Sequence, residues 1–251
     1  TLAALTAILS AFLDNVTTVV LMLPITFAIT KEFDIDPIPF LIIEVFASNI
    51  GGTATLIGDP PNIIIGTKAG LSFLDFLNEL TLIVAIIFIA VVSILIFLFR
   101  KSVKATPEKM QYVANLNTDG AITDKPLMIR SVITLLLVIT GFVTHDITHI
   151  QAYVFALAGA SFLLLFEKPK EICKDVEWLT IFFFVGLFII IGGFEANGGI
   201  SFLADKLIQF THGSLEGSTM LILWGSGILS GIIDNIPYTA TMAPLIDQVQ
   251  H

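Results

Sequence analysis

Two Asp-Asn pairs, Asp14-Asn15 and Asp234-Asn235, each interrupt an apolar stretch, and a third acid, Asp59, stands in the run FASNIGGTATLIGDPPNIIIG at 46–66. Ionisable residues inside apolar spans are costly and mark functional sites by default. Carboxylate, hydroxyl and amide oxygens are hard ligands, suited to a sodium-like cation or to carrying a proton. Acids gathered in low dielectric also titrate as a coupled set, the property a proton-exchanging site needs. Ser10 precedes Asp14 by four residues and Ser230 precedes Asp234 by four, a spacing that predicts one shared helix face with each Asn at the turn. Asp59 and Asn62 flank Pro60-Pro61, with Thr53 and Thr55 just before. The run at 46–66 cannot be one continuous membrane helix, because Gly51-Gly52 weakens it and the two prolines remove backbone donors. Unwound backbone at membrane depth is tolerated only beside protein or a polar cavity. Capping of the following half-helix by Asp59 and Asn62 is an alternative use of the same residues, and it does not exclude the first.

The elements that must position these groups are repeated. Residues 8–25, ILSAFLDNVTTVVLMLPI, match 228–245, ILSGIIDNIPYTATMAPL, without a gap at an offset of 220, sharing Ile, Leu, Ser, Asp, Asn, Met and Pro. Apolar composition alone would not supply the Asp, Asn and Pro matches. A hydrophobic fraction of 55% with only 13% charged residues, and a mean hydropathy of +0.93, define an all-α integral membrane protein with lipid as its surroundings. Apolar runs of spanning length are clearest at 80–99, 129–144, 152–166 and 178–192. The net charge of −9 argues against a nucleic-acid partner. The single cysteine, Cys173, leaves no intrachain disulfide, and its surroundings, EKPKEICKDVEW, read as a loop. The chain opens on Thr1 without a signal-peptide pattern, so it reads as a fragment.

If each repeat segment is a re-entrant hairpin, basic residues give the topology. A hairpin at about 2–29 returns Lys31 to the inside, a broken span at 38–66 crosses outward, and 80–99 comes back. Ten of the 12 basic residues then lie inside and only Lys68 and Lys206 outside, as the positive-inside rule requires. The first hairpin enters from the cytoplasm and the second, about 217–250, from outside. Inverted repeats, each with a re-entrant hairpin and a broken transmembrane helix, are the architecture of secondary transporters. The expected parts are 1–99 (hairpin, broken helix and following span), a cytoplasmic linker at 100–128, and 129–251 (spans and second hairpin). Ala7/Ala11 and Gly227/Gly231 would let the hairpin arms pack closely. Residues 199–212 read as an amphipathic interfacial helix. Glu44 faces either the bundle or the site, Glu195 lies near the outer interface, and His145, Asp146 and His149 read as a short loop rather than a metal site. The sequon Asn15-Val16-Thr17 is buried in the span and is set aside.

SAFLDNVTTVVLMLP, NIGGTATLIGDPPNIIIG and DNIPYTATMAP resemble the ion transporter superfamily, most closely its branch of arsenite-pump, sodium/proton-antiporter and melanosomal P-protein-like permeases. Three separate motifs occur in that family's order over most of the chain. The resemblance implies homodimers working by an elevator motion, with sodium or a proton as the coupling ion and no other cofactor. It implies that Ser10, Asp14, Asn15 and Gly58 frame a first cation site, with Ser10, Asn15 and Gly58 as sodium ligands and Asp59 beside the substrate. Thr17 and Asn62 complete that set. Ser230, Asp234 and Asn235 would supply the hairpin half of a second site, whose broken helix should follow Pro244. A 251-residue piece is therefore expected to carry one whole site and half of another. Dicarboxylate-transporting relatives have Ser-Asn-Thr and Thr-Pro-Pro-Asn where this chain has Asp14-Asn15-Val16 and Asp59-Pro60-Pro61-Asn62. Ionised carboxylates repel a dianion by roughly 4 kcal/mol per close pair at an effective dielectric near 20.

These readings rank cation/proton exchange first, efflux of uncharged arsenite or antimonite second, and sodium-coupled transport of organic anions such as citrate or dicarboxylates third. The arsenite reading would bring a cytosolic ATPase subunit as partner, since the chain has no phosphate loop GxxxxGK[ST] of its own. An intramembrane aspartyl protease would share a proton between two acids, but Asp14 follows Leu13 and Asp59 follows Leu56-Ile57-Gly58, not the YD and GxGD patterns that class resembles. The expected setting is a multi-pass protein of the cell membrane.

Overall fold

The computed structural model describes residues 1–100, 124–166, 168–212 and 214–250. Among the described residues there are thirteen helices and no strand. They are α1 Leu2–Ser10, α2 Asn15–Phe33, α3 Ile38–Gly52, α4 Pro60–Ala69, α5 Phe73–Leu98, α6 Lys125–Val143, α7 His145–Thr148, α8 Ala152–Leu164, α9 Pro169–Asp175, α10 Trp178–Ala196, α11 Gly199–Phe210, α12 Leu215–Leu229 and α13 Asn235–Gln250. Most of the expected cytoplasmic linker, 101–123, lies outside the described residues. Cys173 falls in the short helix α9 and not in a loop. His145 likewise opens the one-turn α7, and His149 ends it in a left-handed conformation, φ 55°.

Each repeat segment is a helix, a short turn and a second helix, with residues 11–14 between the helices in the first copy and 230–234 in the second, and the backbone bonds of the two turns correspond. Phe12 and Leu13 donate their backbone N–H groups to Leu9 O at 3.0 and 2.9 Å, and Ile232 and Ile233 donate to Leu229 O at 3.0 and 2.8 Å. Asp14 then opens α2 and Asp234 opens α13, through Thr18 N to Asp14 O at 2.9 Å and Tyr238 N to Asp234 O at 3.2 Å. The side-chain caps differ for a covalent reason. Asp14 Oδ2 accepts from Thr17 N at 3.1 Å, but the equivalent position is Pro237, which has no N–H. Asp234 Oδ1 therefore accepts from Ile236 N at 2.9 Å instead.

The chain forms two compact units, one of residues 1–59 and 72–172 and the other of 60–71 and 173–251. In the first, α1 packs chiefly on α3, α3 also on α2 and α5, and α6 on α8. Small residues permit these approaches. Ala7 meets Gly51 of α3, where a Cβ on the glycine would lie 2.6 Å from Ala7 Cα. The close packing expected of Ala7 thus joins the hairpin to the broken helix rather than arm to arm, because Gly51 offers bare backbone for Ala7 to rest on. α5 starts at a capping box, Asp75 N to Ser72 Oγ at 3.2 Å and Ser72 N to Asp75 Oδ2 at 2.7 Å. Its 26 residues reach about 39 Å, enough to cross a hydrocarbon core of about 30 Å.

In the second unit, α4 and α11 both pack on α13. Ile64, Ile191 and Ala240 form a buried cluster with Ile236 against it. α11 buries Ile200 and Ala204 against Leu245, the one-sided burial expected of an interfacial helix. Lys68 Nζ lies 3.8 Å from Glu195 Oε1, so the two residues read as outer lie at one level.

Among the described residues, four helices, Asn15–Phe33, Phe73–Leu98, Lys125–Val143 and Trp178–Ala196, are long and apolar enough to cross a membrane. Their outward faces are bare hydrocarbon, with Leu82 70%, Ile89 65% and Leu179 87% exposed. Water cannot face so much apolar surface, whereas lipid can. The protein is an all-α, multi-pass integral membrane protein.

The glycine contact makes a paired test. Gly51→Ala is expected to destabilise the detergent-solubilised full-length protein by about 1–3 kcal/mol, the usual cost of overpacking. Gly186→Ala, where a Cβ meets nothing within 4 Å, should leave the thermal midpoint unchanged. Equal midpoints for both variants would show that α1 and α3 do not meet this closely.

Candidate functional site

Of the polar residues singled out from the sequence, Ser10, Asn15 and Asp59 come together where the first hairpin turn meets the break that follows α3. Ser10 is the last residue of α1 and Asn15 the first of α2. Ser10 Oγ donates to Asn15 Oδ1 at 2.7 Å. Asn15 Nδ2 donates to Asp59 Oδ2 at 3.0 Å. One amide thus joins the hairpin to the break, and its orientation follows from Asp59, which as a carboxylate can only accept.

The break is held from the same side. Thr55, 1% exposed, donates its hydroxyl to Ala11 O and accepts Gly58 N at 3.1 Å. That arrangement satisfies backbone that the helix has released, as membrane depth requires. Thr53, by contrast, returns its hydroxyl to Asn49 O of its own helix at 3.0 Å. Gly52 and Gly58 face each other across the break. A Cβ on Gly58 would lie 2.8 Å from both Gly52 Cα and Ser10 O, and one on Gly52 2.8 Å from Gly58 O. Only glycine lets three backbone segments meet there.

Ser48 belongs to this cluster although the sequence reading passed over it. Its Oγ lies 3.0 Å from Ser10 Oγ and donates to Asn15 O at 3.1 Å. The available signal was the spacing of Glu44, Ser48 and Gly51-Gly52 along an otherwise apolar helix, which places them on one face. All four are buried. Each hydroxyl has one proton and two lone pairs, and either serine can donate across the 3.0 Å between them. Two hydroxyl oxygens, the Asn15 amide oxygen and the Asn15 carbonyl thus meet at one buried point.

Asp14 is placed differently from expectation. α1 ends at Ser10, so Ser10 and Asp14 do not share a helix face. Asp14 is the N-cap of α2, with Oδ2 accepting from Thr17 N and from Thr17 Oγ1 at 3.1 and 3.2 Å. Aspartate is among the best N-caps, and the capping demand of α2 outweighs continuation of α1. Thr17 serves that cap. Asn62 is buried on α4 in the second unit, two residues before Ile64, while Asn235 directly precedes Ile236 in the same packed interface. Ser230 is half-buried, and Asp234 and Asn235 are exposed. Glu44, 1% exposed, accepts from Thr26 Oγ1 at 2.6 Å.

A multi-pass helical protein with a broken helix and a buried, oxygen-rich hairpin turn has the architectural parts of which secondary transporters are built. The family model described as citrate transporter matches residues 1–251, and the chain belongs to that family, within the ion transporter superfamily. An uncharacterized transporter of Mycobacterium tuberculosis is 43% identical over 250 residues, covering 99% of this chain and 58% of the relative. An uncharacterized transporter of Synechocystis is 31% identical over 252 residues, 98% of this chain and 56% of its own length. The human P protein is 26% identical over 331 residues, 100% of this chain and 39% of its own. The chain thus spans a little over half the length of its nearer bacterial relatives named here.

The cap predicts how Asp14 responds to substitution. Asp14→Asn keeps a capping oxygen and should change stability by no more than a few tenths of a kcal/mol, whereas Asp14→Ala should cost about 1 kcal/mol. Thermal unfolding of the two variants in detergent checks this. A loss in Asp14→Asn equal to that in Asp14→Ala would mean that the charge, and not the cap, is what the fold uses.

Proposed function

We propose that the full-length protein is a secondary active transporter that exchanges a sodium-like cation for protons. The observation that carries this reading is the cluster of hard oxygens at the hairpin turn, where the buried Ser10 hydroxyl lies 2.7 Å from Asn15 Oδ1 and 3.0 Å from Ser48 Oγ, beside the Asp59 carboxylate that accepts from Asn15 Nδ2. Small hard cations take such oxygens. Ser10 Oγ, Asn15 Oδ1 and the Gly58 carbonyl are the proposed ligands. Ser48 fixes the turn by its bond to Asn15 O. Asp59, held by Asn15 Nδ2, supplies charge next to that set, so that occupancy by a cation and protonation of the acid compete. Alternating access is the mechanism that the repeats support, and the family resemblance adds an elevator-like movement within a homodimer.

A second reading follows from the family's description, which names citrate. Asp59 and Asp14 oppose a polyanion electrostatically, so on this reading citrate would enter with its charge neutralised by a cation. Arsenite efflux keeps the place below cation exchange that the family resemblance gave it, with no observation of its own in the fold.

Proteoliposomes containing the full-length protein separate these readings. A sodium gradient is expected to drive proton movement, reported by an internal pH dye. Asn15→Ala should lower the apparent sodium affinity tenfold or more, equivalent to about 1.4 kcal/mol for one lost ligand. Asp59→Asn should flatten the pH dependence of exchange. Citrate or arsenite flux without any sodium-driven proton movement would overturn the cation reading.

A further inference from the structure

Glu44 is the buried acid that the proposed exchange does not use. It lies on α3, one helical turn (a rise of about 6 Å) before Ser48, and is 1% exposed. Thr26 Oγ1 donates to its Oε1 at 2.6 Å, while its Oε2 has no hydrogen-bond partner among the described residues. Opposite it, α2 presents Thr18, Met22, Thr26 and Thr30, all buried and four residues apart, hence on one face. Thr30 returns its hydroxyl to Thr26 O at 2.8 Å. Thr18 Oγ1 is the other buried group on this face without a partner among the described residues. It lies between Thr26 and Asn15, whose carbonyl accepts from Ser48 at 3.1 Å. A polar seam therefore runs between α2 and α3 from Glu44 toward the turn.

No counter-charge faces Glu44 from the described elements packed on α3. α1 has no titratable side chain. On α2, Lys31 and Glu32 are exposed, and on α5, Asp75 and Glu79 are exposed. α3 itself carries no other charged residue. An ionised carboxylate that is buried and unpaired is strongly disfavoured, so the neutral acid is the form this environment accepts. A hydroxyl donor on one oxygen with the other oxygen open leaves room for exactly that proton.

We infer that Glu44 is a proton-binding site, occupied while the turn is empty and emptied when a cation enters among Ser10, Asn15 and Gly58. The charge balance is direct. One positive charge arrives at the turn, the Glu44 O–H bond breaks, the proton passes to water outside the protein, and the buried net charge is unchanged. Linkage makes the effect reciprocal, with protons weakening cation binding by the same factor that the cation weakens proton binding. The linkage half of this inference rests on the cation reading above, and the proton-binding half does not.

Two measurements on the full-length protein in detergent keep those halves apart. Infrared difference spectra between high and low pH should contain a protonated-carboxyl band that Glu44→Gln removes and Thr26→Val shifts, since Val deletes the hydrogen bond and keeps the acid. In weakly buffered solution, adding sodium chloride to the wild type should release close to one proton for each cation bound. Glu44→Gln should still bind sodium but release fewer protons per cation than the wild type, keeping only the share that Asp59 gives up, and Glu44→Asp should restore part of the difference. A merely structural Glu44 would change stability in these variants and leave the band and the proton count alone. An unaltered band in both Glu44→Gln and Thr26→Val would overturn the inference, as would undiminished proton release from Glu44→Gln. Absence of sodium binding in the wild type would refute the cation reading and its linkage, while the infrared band would still decide whether Glu44 holds a proton.

Discussion

The arrangement depends on the side chain of Asn15. Its two amide ends do opposite jobs, accepting from Ser10 at 2.7 Å and donating to Asp59 at 3.0 Å. Carboxylate, amide and hydroxyl are thereby strung across two elements that the sequence separates by more than forty residues. Gly52 and Gly58 must be bare for this to happen, because a Cβ on either would strike the opposing backbone. Hydrogen bonds across apolar surroundings are strong when made and costly when lost. A single amide therefore sets both the shape of the turn and the charge distribution at it.

Much of this was legible in the sequence, for reasons that differ by residue. The repeated Asp-Asn located both turns to the residue, because an acid and an amide in an apolar run have few uses other than a cap or a ligand. Gly58-Asp59-Pro60-Pro61 located the break, since proline cannot donate and glycine permits close approach. Asp14 was harder, because helical spacing from Ser10 and the capping preference of aspartate predict different neighbours. The structure resolves that competition in favour of the cap. Ser48 was missed because serine on an apolar helix commonly bonds to its own backbone. Nothing in one sequence says that this hydroxyl instead reaches across to Asn15. The partition that joins α4 to the second hairpin's helix α13 was likewise invisible, since it depends on Ile64 meeting Ala240.

The two copies share a turn but not its surroundings. In the first, Ser10 is fully buried beside Ser48 of α3, and Asn15 donates to Asp59 of the break. In the second, Asp234 and Asn235 are exposed on the described chain. Matching backbone bonds in the turn with different burial separate what the local sequence dictates, the turn and its capping aspartate, from what packing against a broken helix adds. The cluster of oxygens around Ser10 belongs to the second category, since it needs Ser48 within 3.0 Å of Ser10.

The most direct test of this account is the density at that point in maps of the full-length protein prepared with sodium chloride and with choline chloride. The account predicts, in sodium only, a peak about 2.4 Å from Ser10 Oγ, Asn15 Oδ1 and Gly58 O, the range of hard-cation ligation. Identical maps in the two salts, with no peak between the turn and the break, would contradict it.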